Sequence, residues 1–218
     1  MSTIAVIGGT GPQGKGLGYR FAKGGHDVIV GSRDELRAIT AAEEIAARAI
    51  AGSVRGADNA EAADGADMVL LAVPWEGHDA LVAQLASHLA GKIVVSCVNP
   101  LGFDKHGPYG LDLGQSSAAE RAQSLVPEAV VVGAFHHLSA LTLIGETDRL
   151  DHEDVLVCGD SGIGKSQVID LAVAVTGKPG IDAGPLRLAR QLEPLTAVLI
   201  SINKRYKVRS GLAVVGVH

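Results

Sequence analysis

Aromatic side chains are scarce in this chain, at 3% of its 218 residues. Proteins that hold single-stranded nucleic acid stack its bases on aromatic rings, so this composition argues against such a role. The formal net charge is −5, whereas nucleic-acid-binding domains carry a clear positive excess. We therefore expect no nucleic-acid partner.

Cysteines and long apolar runs are also scarce. Cys97 and Cys158 are the two cysteines, and they form neither a CxxC motif nor a zinc pattern, which indicates buried thiols in a reducing cytosol. The apolar stretch 195–202 is far shorter than the roughly 20 residues of a membrane-spanning helix. The first residues lead directly into a strand, without a signal peptide. These absences predict a cytoplasmic protein with no membrane span.

Strand and helix patterns alternate along most of the chain, and a 47% share of hydrophobic residues is typical of a globular core. Residues 67–73 and 129–135 are almost wholly apolar, as expected for parallel strands covered on both faces. Further strands are predicted at 4–7, 27–30, 53–56, 92–98, 154–158 and 180–182. Helices are predicted at 15–23, 34–51 (burying Leu36, Ile39 and Ile45), 60–64, 76–89, 116–125 and, after the strand that ends at 158, to about 175, with a loop at 99–114. The fold class is therefore α/β: a Rossmann-type, doubly wound, mostly parallel sheet.

A glycine-rich turn follows the first strand. Within residues 8–14, Gly9, Gly11 and Gly14 have the spacing G-x-G-x-x-G. Glycines here permit a tight turn, close approach of the backbone to a pyrophosphate, and close packing of helix on strand. The next helix then presents free N–H groups and its positive dipole end to the phosphates. The motif predicts dinucleotide binding, the alternative being a turn that only packs; the binding residues expected are Gly9, Thr10, Gly11, Pro12 and Gln13.

The end of the second strand indicates which dinucleotide is bound. NAD-binding units usually place a carboxylate there to hold the ribose 2′-hydroxyl, but this chain has Ser32 and Arg33, with Arg37 one turn into the next helix. Asp34 fits the helix N-terminus better than the strand end. Arginine forms charge-assisted, often bidentate hydrogen bonds to phosphate. The sequence therefore favours NADP(H) over NAD(H), unless Arg33 and Arg37 are ordinary surface charges.

The last part of the chain has a different pattern. Residues 185–204 are predicted to form one long helix, kinked at Pro194. A second apolar stripe with Val198 and Ile200 favours contact with another subunit over packing on its own domain alone. We expect an NADP-binding Rossmann domain at 1–184 and a small C-terminal domain at 185–218 that carries a dimer contact. The main apolar stripe of the helix consists of Leu188, Leu192, Leu195, Leu199, Ile202 and Tyr206.

The ligand of an open parallel sheet lies outside the carboxyl ends of its strands. Three further segments follow predicted strands and are therefore expected at one crevice: Val73-Pro74-Trp75, Asn99 and residues 134–140. Trp75 is expected either to cover the cofactor or to anchor the core. His136 and His137 are adjacent and point apart, so no metal site is predicted. His136 is the candidate hydrogen-bond donor to a bound ring.

Residues 159–166 form a competing motif, because they match G-x-x-x-x-G-K-S, the phosphate loop of nucleotide hydrolases and kinases. A phosphotransferase or ATP-binding switch is therefore a second class of function. Against it, no apolar strand ending in aspartate follows Ser166 to hold magnesium. A third class is a non-catalytic NADP-sensing module, which has the same glycine turn but no hydride acceptor.

Several segments occur together, in order, over nearly the whole chain: GGTGPQGKGL, VGSR, AVPWE, AFHHLSA, CGD and DAGPLRLARQLEPLT. With Arg37 they resemble the F420-dependent NADP oxidoreductases, which reversibly move a hydride between NADP(H) and the deazaflavin coenzyme F420. The resemblance implies a Rossmann-type domain, a small C-terminal domain and a homodimer. It also implies that the 2′-phosphate end is held by Thr10, Ser32, Arg33 and Arg37, and that the nicotinamide and deazaflavin lie near Trp75, Asn99, His136, Leu138 and Ala140.

The reaction implied by this resemblance is direct hydride transfer from nicotinamide C4 to a stacked deazaflavin, with F420 as co-substrate. The cofactors carry the chemistry and the protein orients them and excludes water, so no catalytic nucleophile is expected. Related enzymes of the same superfamily include ferric reductase domains and pyrroline carboxylate reductases. The alternative is therefore NADPH-dependent reduction of another acceptor, such as a ferric ion, a flavin or an imine.

Overall fold

The computed structural model describes residues 1–48, 50–145, 147 and 149–217. An eight-stranded sheet lies at its centre and a two-stranded hairpin beside it. The strands are β1 (Thr3–Ile7), β2 (Asp27–Ser32), β3 (Val54–Asp58), β4 (Met68–Leu71), β5 (Ile93–Ser96), β6 (Leu101–Asp104), β7 (Gly107–Gly110), β8 (Val130–Gly133), β9 (Leu156–Gly159) and β10 (Ile181–Gly184). The helices are α1 (Pro12–Lys23), α2 (Glu35–Ala46), α3 (Asn59–Asp64), α4 (His78–Gln84), α5 (Ala86–Leu89), α6 (Ala118–Leu125), α7 (Ala140–Leu143), α8 (Gly162–Leu171), α9 (Val173–Thr176) and α10 (Ala189–Tyr206).

The strand order of the large sheet is β10-β9-β8-β5-β4-β1-β2-β3. From β3 to β8 the strands are parallel, in the order of a dinucleotide-binding Rossmann fold. The pair β8–β9 is antiparallel, and β10 runs parallel to β9. The predicted class, a doubly wound and mostly parallel α/β sheet, is therefore confirmed.

Apolar side chains of the strands supply a core on each face of the sheet. In β4, Met68 and Leu70 join one buried cluster, whereas Val69 and Leu71 join the other. Side chains alternate along a strand, so a continuously apolar strand fills both cores. Leu17 and Phe21 of α1 cover the first face, and Leu85 and Leu89 cover the second.

The helix predicted at 34–51 is shorter than expected, and the face that it buries differs from the predicted one. It ends at Ala46, and Leu36 and Ile39 are 75% and 36% exposed. Its buried side is mostly alanine, because α2 lies very close to β3: a Cβ added to Gly56 would lie 2.3 Å from the Ile39 nitrogen. The buried residues of α2 are Ala38, Ala41, Ala42 and Ile45.

The segment predicted as a loop at 99–114 contains the antiparallel hairpin of β6 and β7. Its strands are short and rich in glycine, so they lack the alternating apolar pattern that signals a strand. The hairpin lies against α10, where Gly110 approaches Pro194 so closely that an added Cβ would be 2.6 Å from the proline Cβ. The helix expected at 76–89 is also divided, into α4 and α5.

The long C-terminal helix α10 follows a 3-10 turn at Leu186–Leu188 and contains Pro194. Of the apolar stripe predicted for it, only Leu199 is fully buried, whereas Ile202 and Tyr206 are 36% and 67% exposed. The predicted stripe is thus buried in part. Within the described ranges, no helix is both long enough and apolar enough to cross a membrane.

Candidate functional site

A crevice of ≈680 Å³ opens at the carboxyl ends of β1, β2 and β4. Parallel strands direct their ends to one edge, so the turns that follow them meet there. Of the residues predicted from sequence, Thr10, Gly11, Pro12, Gln13, Ser32, Arg33, Arg37 and Val73 line this first cavity. Asn59 and Ala72 also line it; nothing in their sequence context distinguishes them.

Each glycine of the turn has a separate physical task. Gly8 has φ +80, and a Cβ there would lie 2.6 Å from the Ala72 oxygen. Gly14 packs α1 on the turn, since its Cβ would lie 2.6 Å from the Gly8 oxygen. Gly11 has no protein atom closer than 3.5 Å to its Cβ position, so its backbone stays open to a ligand. These are the three glycine functions of a pyrophosphate-binding turn.

Helix α1 begins at this turn, and no side chain caps the N–H groups of its first turn. Gly11 is the N-cap without a side-chain cap, Pro12 is the first helical residue, and the first turn contains no acidic residue. These N–H groups and the positive end of the helix dipole therefore face the cavity, which suits a diphosphate. Gly9 does not line the cavity; its Cβ position lies 2.7 Å from the Val6 oxygen, so it supports the turn from below.

Positive charge gathers at the β2 end of the first cavity. Arg33 and Arg37 are exposed, and neither side chain has an ion pair within the part of the chain that the structure describes. Asp34 caps α2, accepting a hydrogen bond from the Arg37 nitrogen at 3.2 Å, as predicted. The Ser32 hydroxyl accepts from the Asp34 nitrogen at 3.2 Å. Two free guanidinium groups beside a hydroxyl fit a 2′-phosphate.

A second cavity, of ≈330 Å³, adjoins the first and shares Gln13, Ala72 and Val73 with it. Gln13 crosses the junction by donating from Nε2 to the Leu138 oxygen at 3.3 Å. The wall brings together the sequence-predicted residues Asn99, His136, Leu138 and Ala140. The wall is completed by four residues of α10 that no sequence motif marks as site residues: Thr196, Leu199, Ile200 and Asn203.

His136 is held firmly in the second cavity by its backbone. Its carbonyl accepts hydrogen bonds from Asn99 Nδ2 at 2.7 Å and from Thr196 Oγ1 at 2.9 Å. Phe135, just before it, has φ 64, a strained conformation for a bulky residue. Among the described residues neither ring nitrogen of His136 has a partner at good hydrogen-bond geometry, although the Val98 carbonyl lies close enough to affect its pKa. Both nitrogens are fully buried, and a Cβ added to Gly133 would lie 3.2 Å from Nε2, so neither is open to the cavity in this conformation of the ring.

Burial keeps both adjacent histidines uncharged. Desolvation, with a smaller contribution from His137, lowers the pKa of His136 to about 3, although the Val98 carbonyl opposes this. Desolvation also lowers the pKa of His137 to about 4, against the favourable effect of Asp154. At neutral pH both imidazoles beside the second cavity are therefore neutral and place no charge there.

A buried arginine positions the α7 wall of the second cavity. Arg20 is fully buried and donates to the carbonyl oxygens of Leu143, Thr142 and Thr147 at 2.6, 3.0 and 2.7 Å. Its charge thereby satisfies the free carbonyls at the end of a short helix. Gly16 lets α7 approach α1, since its Cβ position is 2.7 Å from the Leu143 Cβ. The sequence GKGLGYR after the turn thus builds the wall containing Ala140.

Trp75 does not line either cavity, so its predicted role as a cofactor cover is not supported. Its ring stacks on His78 with centroids 5.4 Å apart, and the Arg121 guanidinium lies 5.4 Å from its centroid. The side chain packs against the second buried cluster, which corresponds to the alternative role of core anchor. Pro74, Glu76 and Gly77 line the first cavity beside it instead.

The phosphate-loop motif at 159–166 lies away from both cavities. Because β9 is antiparallel to β8, its carboxyl end is at the opposite edge of the sheet. Lys165 binds both carboxylate oxygens of Asp182 at 2.8 Å, and Ser161 caps α8 by accepting from the Gly164 nitrogen. A Cβ on Gly164 would lie 2.5 Å from Val130. The motif therefore caps and packs the start of α8, and its lysine is occupied by the ion pair with Asp182.

The cysteines are buried and lie outside any metal cluster. Burial raises the pKa of Cys97 and of Cys158 to about 12, so both are neutral thiols and the prediction of buried thiols is confirmed. Among the residues described, no group of three or more histidine, cysteine, aspartate or glutamate side chains is placed to hold a metal ion.

The strand order, the glycine turn and the two joined cavities define a dinucleotide-binding Rossmann protein with a separate site for a second molecule. The model of the coenzyme F420-dependent NADP oxidoreductase family matches residues 3–100. The F420-dependent NADP reductases of Methanothermobacter thermautotrophicus and Methanocaldococcus jannaschii are each 38% identical to this chain, over 95% and 94% of it and 91% and 93% of their own lengths. The chain therefore belongs to the F420-dependent NADP reductase family.

A solved structure agrees with this assignment. A protein from Arthrobacter sp. FB24 that is proposed to be an F420-dependent NADP reductase superimposes with a TM-score of 0.80 at 28% identity. The match covers 98% of this chain and 100% of the other, so the similarity extends through the C-terminal helix.

Proposed function

We propose that this protein catalyses reversible hydride transfer between NADP(H) and coenzyme F420. The observation that carries the proposal is the junction of the two cavities at Gln13, Ala72 and Val73. A dinucleotide anchored at the glycine turn extends along the first cavity toward this junction, where a second ring meets it from the other side. Family membership supports the identity of the acceptor.

The first cavity binds NADP(H) through two charged regions. The diphosphate is held by the N-terminus of α1 with Gly11 and Gln13, and the 2′-phosphate by Ser32, Arg33 and Arg37. The preference for NADP(H) over NAD(H) arises at the second region, since the two nucleotides differ only in that phosphate. Thr10, Pro12 and Val73 complete the binding surface.

The second cavity binds the deazaflavin beside Asn99, His136, Leu138 and Ala140. The bound nicotinamide supplies the hydride, and this chain orients the rings and excludes water. Neutral His136 is the candidate hydrogen-bond donor to the acceptor ring, and its imidazole, whose nitrogens are buried, has to turn toward the cavity to donate. The absence of charge on His136 and His137 avoids a fixed positive charge beside the reacting atoms.

We further propose a cytoplasmic homodimer, with residues 1–184 as the NADP-binding domain and 185–218 as a small C-terminal domain. Val198, Ile202 and Tyr206 follow one another at four-residue spacing on α10 and are 53%, 36% and 67% exposed. Residues at this spacing share a helix face, and an exposed apolar face of this kind favours burial against a second copy.

A spectroscopic assay tests the function. We expect NADPH absorbance to fall only when F420 is added, and NADP⁺ to be reduced when reduced F420 is supplied instead. Tight NADPH binding without turnover would indicate a sensing module. Turnover with a ferric, flavin or imine acceptor but not with F420 would indicate a different reductase, and either result would reject the proposal.

A further inference from the structure

A shallow groove continues from the second cavity toward the end of α10. It has a volume of ≈340 Å³ and shares Ser139, Ile200 and Asn203 with that cavity. Leu141, Lys204 and Arg209 complete its walls. This distal groove therefore leads from the second cavity to two cationic side chains at the surface.

The two cations of the distal groove have no acidic partner. Lys204 and Arg209 are exposed, and no aspartate or glutamate in the described ranges pairs with either of them. Arg209 donates only to the carbonyl of its neighbour Val208, at 3.2 Å. Several other cations near the surface are paired, such as Arg55 with Glu61 at 2.7 Å and Arg190 with Glu120 at 2.6 Å.

The charge of this region differs from that of the chain as a whole. Residues 204–209 carry four cations and no carboxylate, in a chain of net charge −5. Cations in the last turn of a helix complement its dipole, which accounts for Lys204 and Arg205. It does not account for Arg209, which lies beyond the helix end at Tyr206. A concentrated positive field at a cavity mouth attracts an anionic ligand.

The chain after α10 fixes Arg209 beside Lys204. Lys207 has φ 55 and turns the backbone back. The Ser210 nitrogen then donates to Asn203 Oδ1 at 2.6 Å. Farther along, the Asp154 nitrogen donates to the Leu212 oxygen, and the Val214 nitrogen to Asp154 Oδ2, both at 2.7 Å. The tail is therefore anchored at both ends of the segment that presents Arg209.

We propose that the distal groove binds an anionic side arm of the hydride acceptor, with Lys204 and Arg209 contacting its phosphate or carboxylate groups. The proposal rests on the proposed function, because the groove opens from the acceptor cavity. Leu141, which is 61% exposed, and Ile200 contact the uncharged part of the arm. These contacts are remote from the transferred hydride, so they contribute equally to ground and transition states and affect KM rather than kcat.

The test compares two acceptors on the whole protein. One is coenzyme F420, whose side arm carries a phosphate and carboxylates, and the other is the same deazaflavin ring with only its uncharged sugar alcohol. For the double variant Lys204→Ala/Arg209→Ala we expect the KM for F420 to rise roughly fivefold to thirtyfold, as for two exposed charge contacts. The KM for the uncharged deazaflavin, the KM for NADPH and kcat should stay unchanged.

A matched control is Arg205→Ala, which removes an exposed cation of the same helix end that does not line the groove. It should leave all constants near the wild-type values. The wild-type KM for F420 should also rise with ionic strength, and this dependence should weaken in the double variant.

Equal effects on both acceptors, or no effect on F420, would overturn the proposal. Calorimetric titration keeps it separate from the proposed function, because it measures the Kd of each deazaflavin without turnover. If the protein transfers no hydride but binds F420, and the double variant weakens that binding, then the proposed reaction is rejected and the proposed role of the distal groove is supported. If the protein transfers hydride to F420 but the double variant leaves the Kd for F420 unchanged, then the proposed reaction is supported and the proposed role of the distal groove is rejected.

Discussion

Arg33 and Arg37 line the first cavity as exposed cations that have no ion pair in the described ranges, so the nucleotide preference can be tested at single side chains. We predict that Arg33→Ala raises the KM for NADPH about tenfold, because one charge-assisted phosphate contact at an exposed site contributes about 1.5 kcal/mol. The kcat should change little, since this contact exists in ground and transition states alike. The KM for NADH should hardly move.

Steady-state kinetics with both nucleotides measure this effect, with Arg205→Ala as a control for lost surface charge. Equal weakening of NADPH and NADH would contradict the assignment of Arg33 to the 2′-phosphate, as would a wild-type preference for NADH.

Glu153 provides a residue-scale prediction about stability. It is 8% exposed, its Oε2 has no hydrogen-bond partner among the described residues, and burial raises its pKa from 4.5 to about 7. A raised pKa means that the folded state binds the proton more tightly than the unfolded state. The contribution of the protonated Glu153 carboxyl group to folding stability is therefore fully present below about pH 4.5 and is lost as the pH rises through about 7.

We predict that Glu153→Gln is more stable than the wild type at about pH 8, by up to roughly 3 kcal/mol, and equal to it at about pH 4.5. Urea unfolding at both pH values measures this difference. Glu128→Gln, at an exposed position, should show no such pH dependence. A stability difference of the same size at both pH values would show that ionisation of Glu153 is not its cause.

At the scale of elements, the apparent phosphate loop at the start of α8 has a structural task. Lys165 of α8 pairs with Asp182 of β10, and their side chains are 16% and 51% exposed respectively. We predict that Lys165→Ala leaves the KM for NADPH and kcat unchanged and costs at most about 1 kcal/mol of folding stability, as for other partly exposed ion pairs. Asp182→Asn should give a similar loss. Calorimetry should detect no ATP binding by the wild type, and specific ATP binding would contradict the prediction.

Elements whose signal is local were predictable, and those that depend on distant packing were not. The glycine turn and the apolar strands follow from a few adjacent residues, and so do Ser32 and Arg33 at a strand end. The hairpin at 101–110 and the α10 residues Thr196 and Asn203 take their places through tertiary contacts with segments far along the chain. Trp75 was ambiguous for the same reason, because its stacking on His78 decides its position.

At the scale of the whole molecule, α10 has two different surfaces. Its inner surface completes the second cavity and includes Leu199, which is 6% exposed within its own chain. A charge at Leu199 would therefore damage the fold and the acceptor site together. Val198, Ile202 and Tyr206 lie on the outer surface, so a test of the homodimer belongs there.

We predict that the wild type is a dimer at micromolar concentration and that Val198→Glu is a folded monomer. Val198 is 53% exposed in the isolated chain, so glutamate there is tolerated by the monomer, but dimerisation would bury an unpaired charge at a cost of several kcal/mol. Light scattering gives the mass of each, and circular dichroism checks the fold. Ser124→Glu, an exposed helical position on α6, should remain dimeric. A monomeric wild type, or a Val198→Glu variant that stays dimeric, would show that this face of α10 is not the interface.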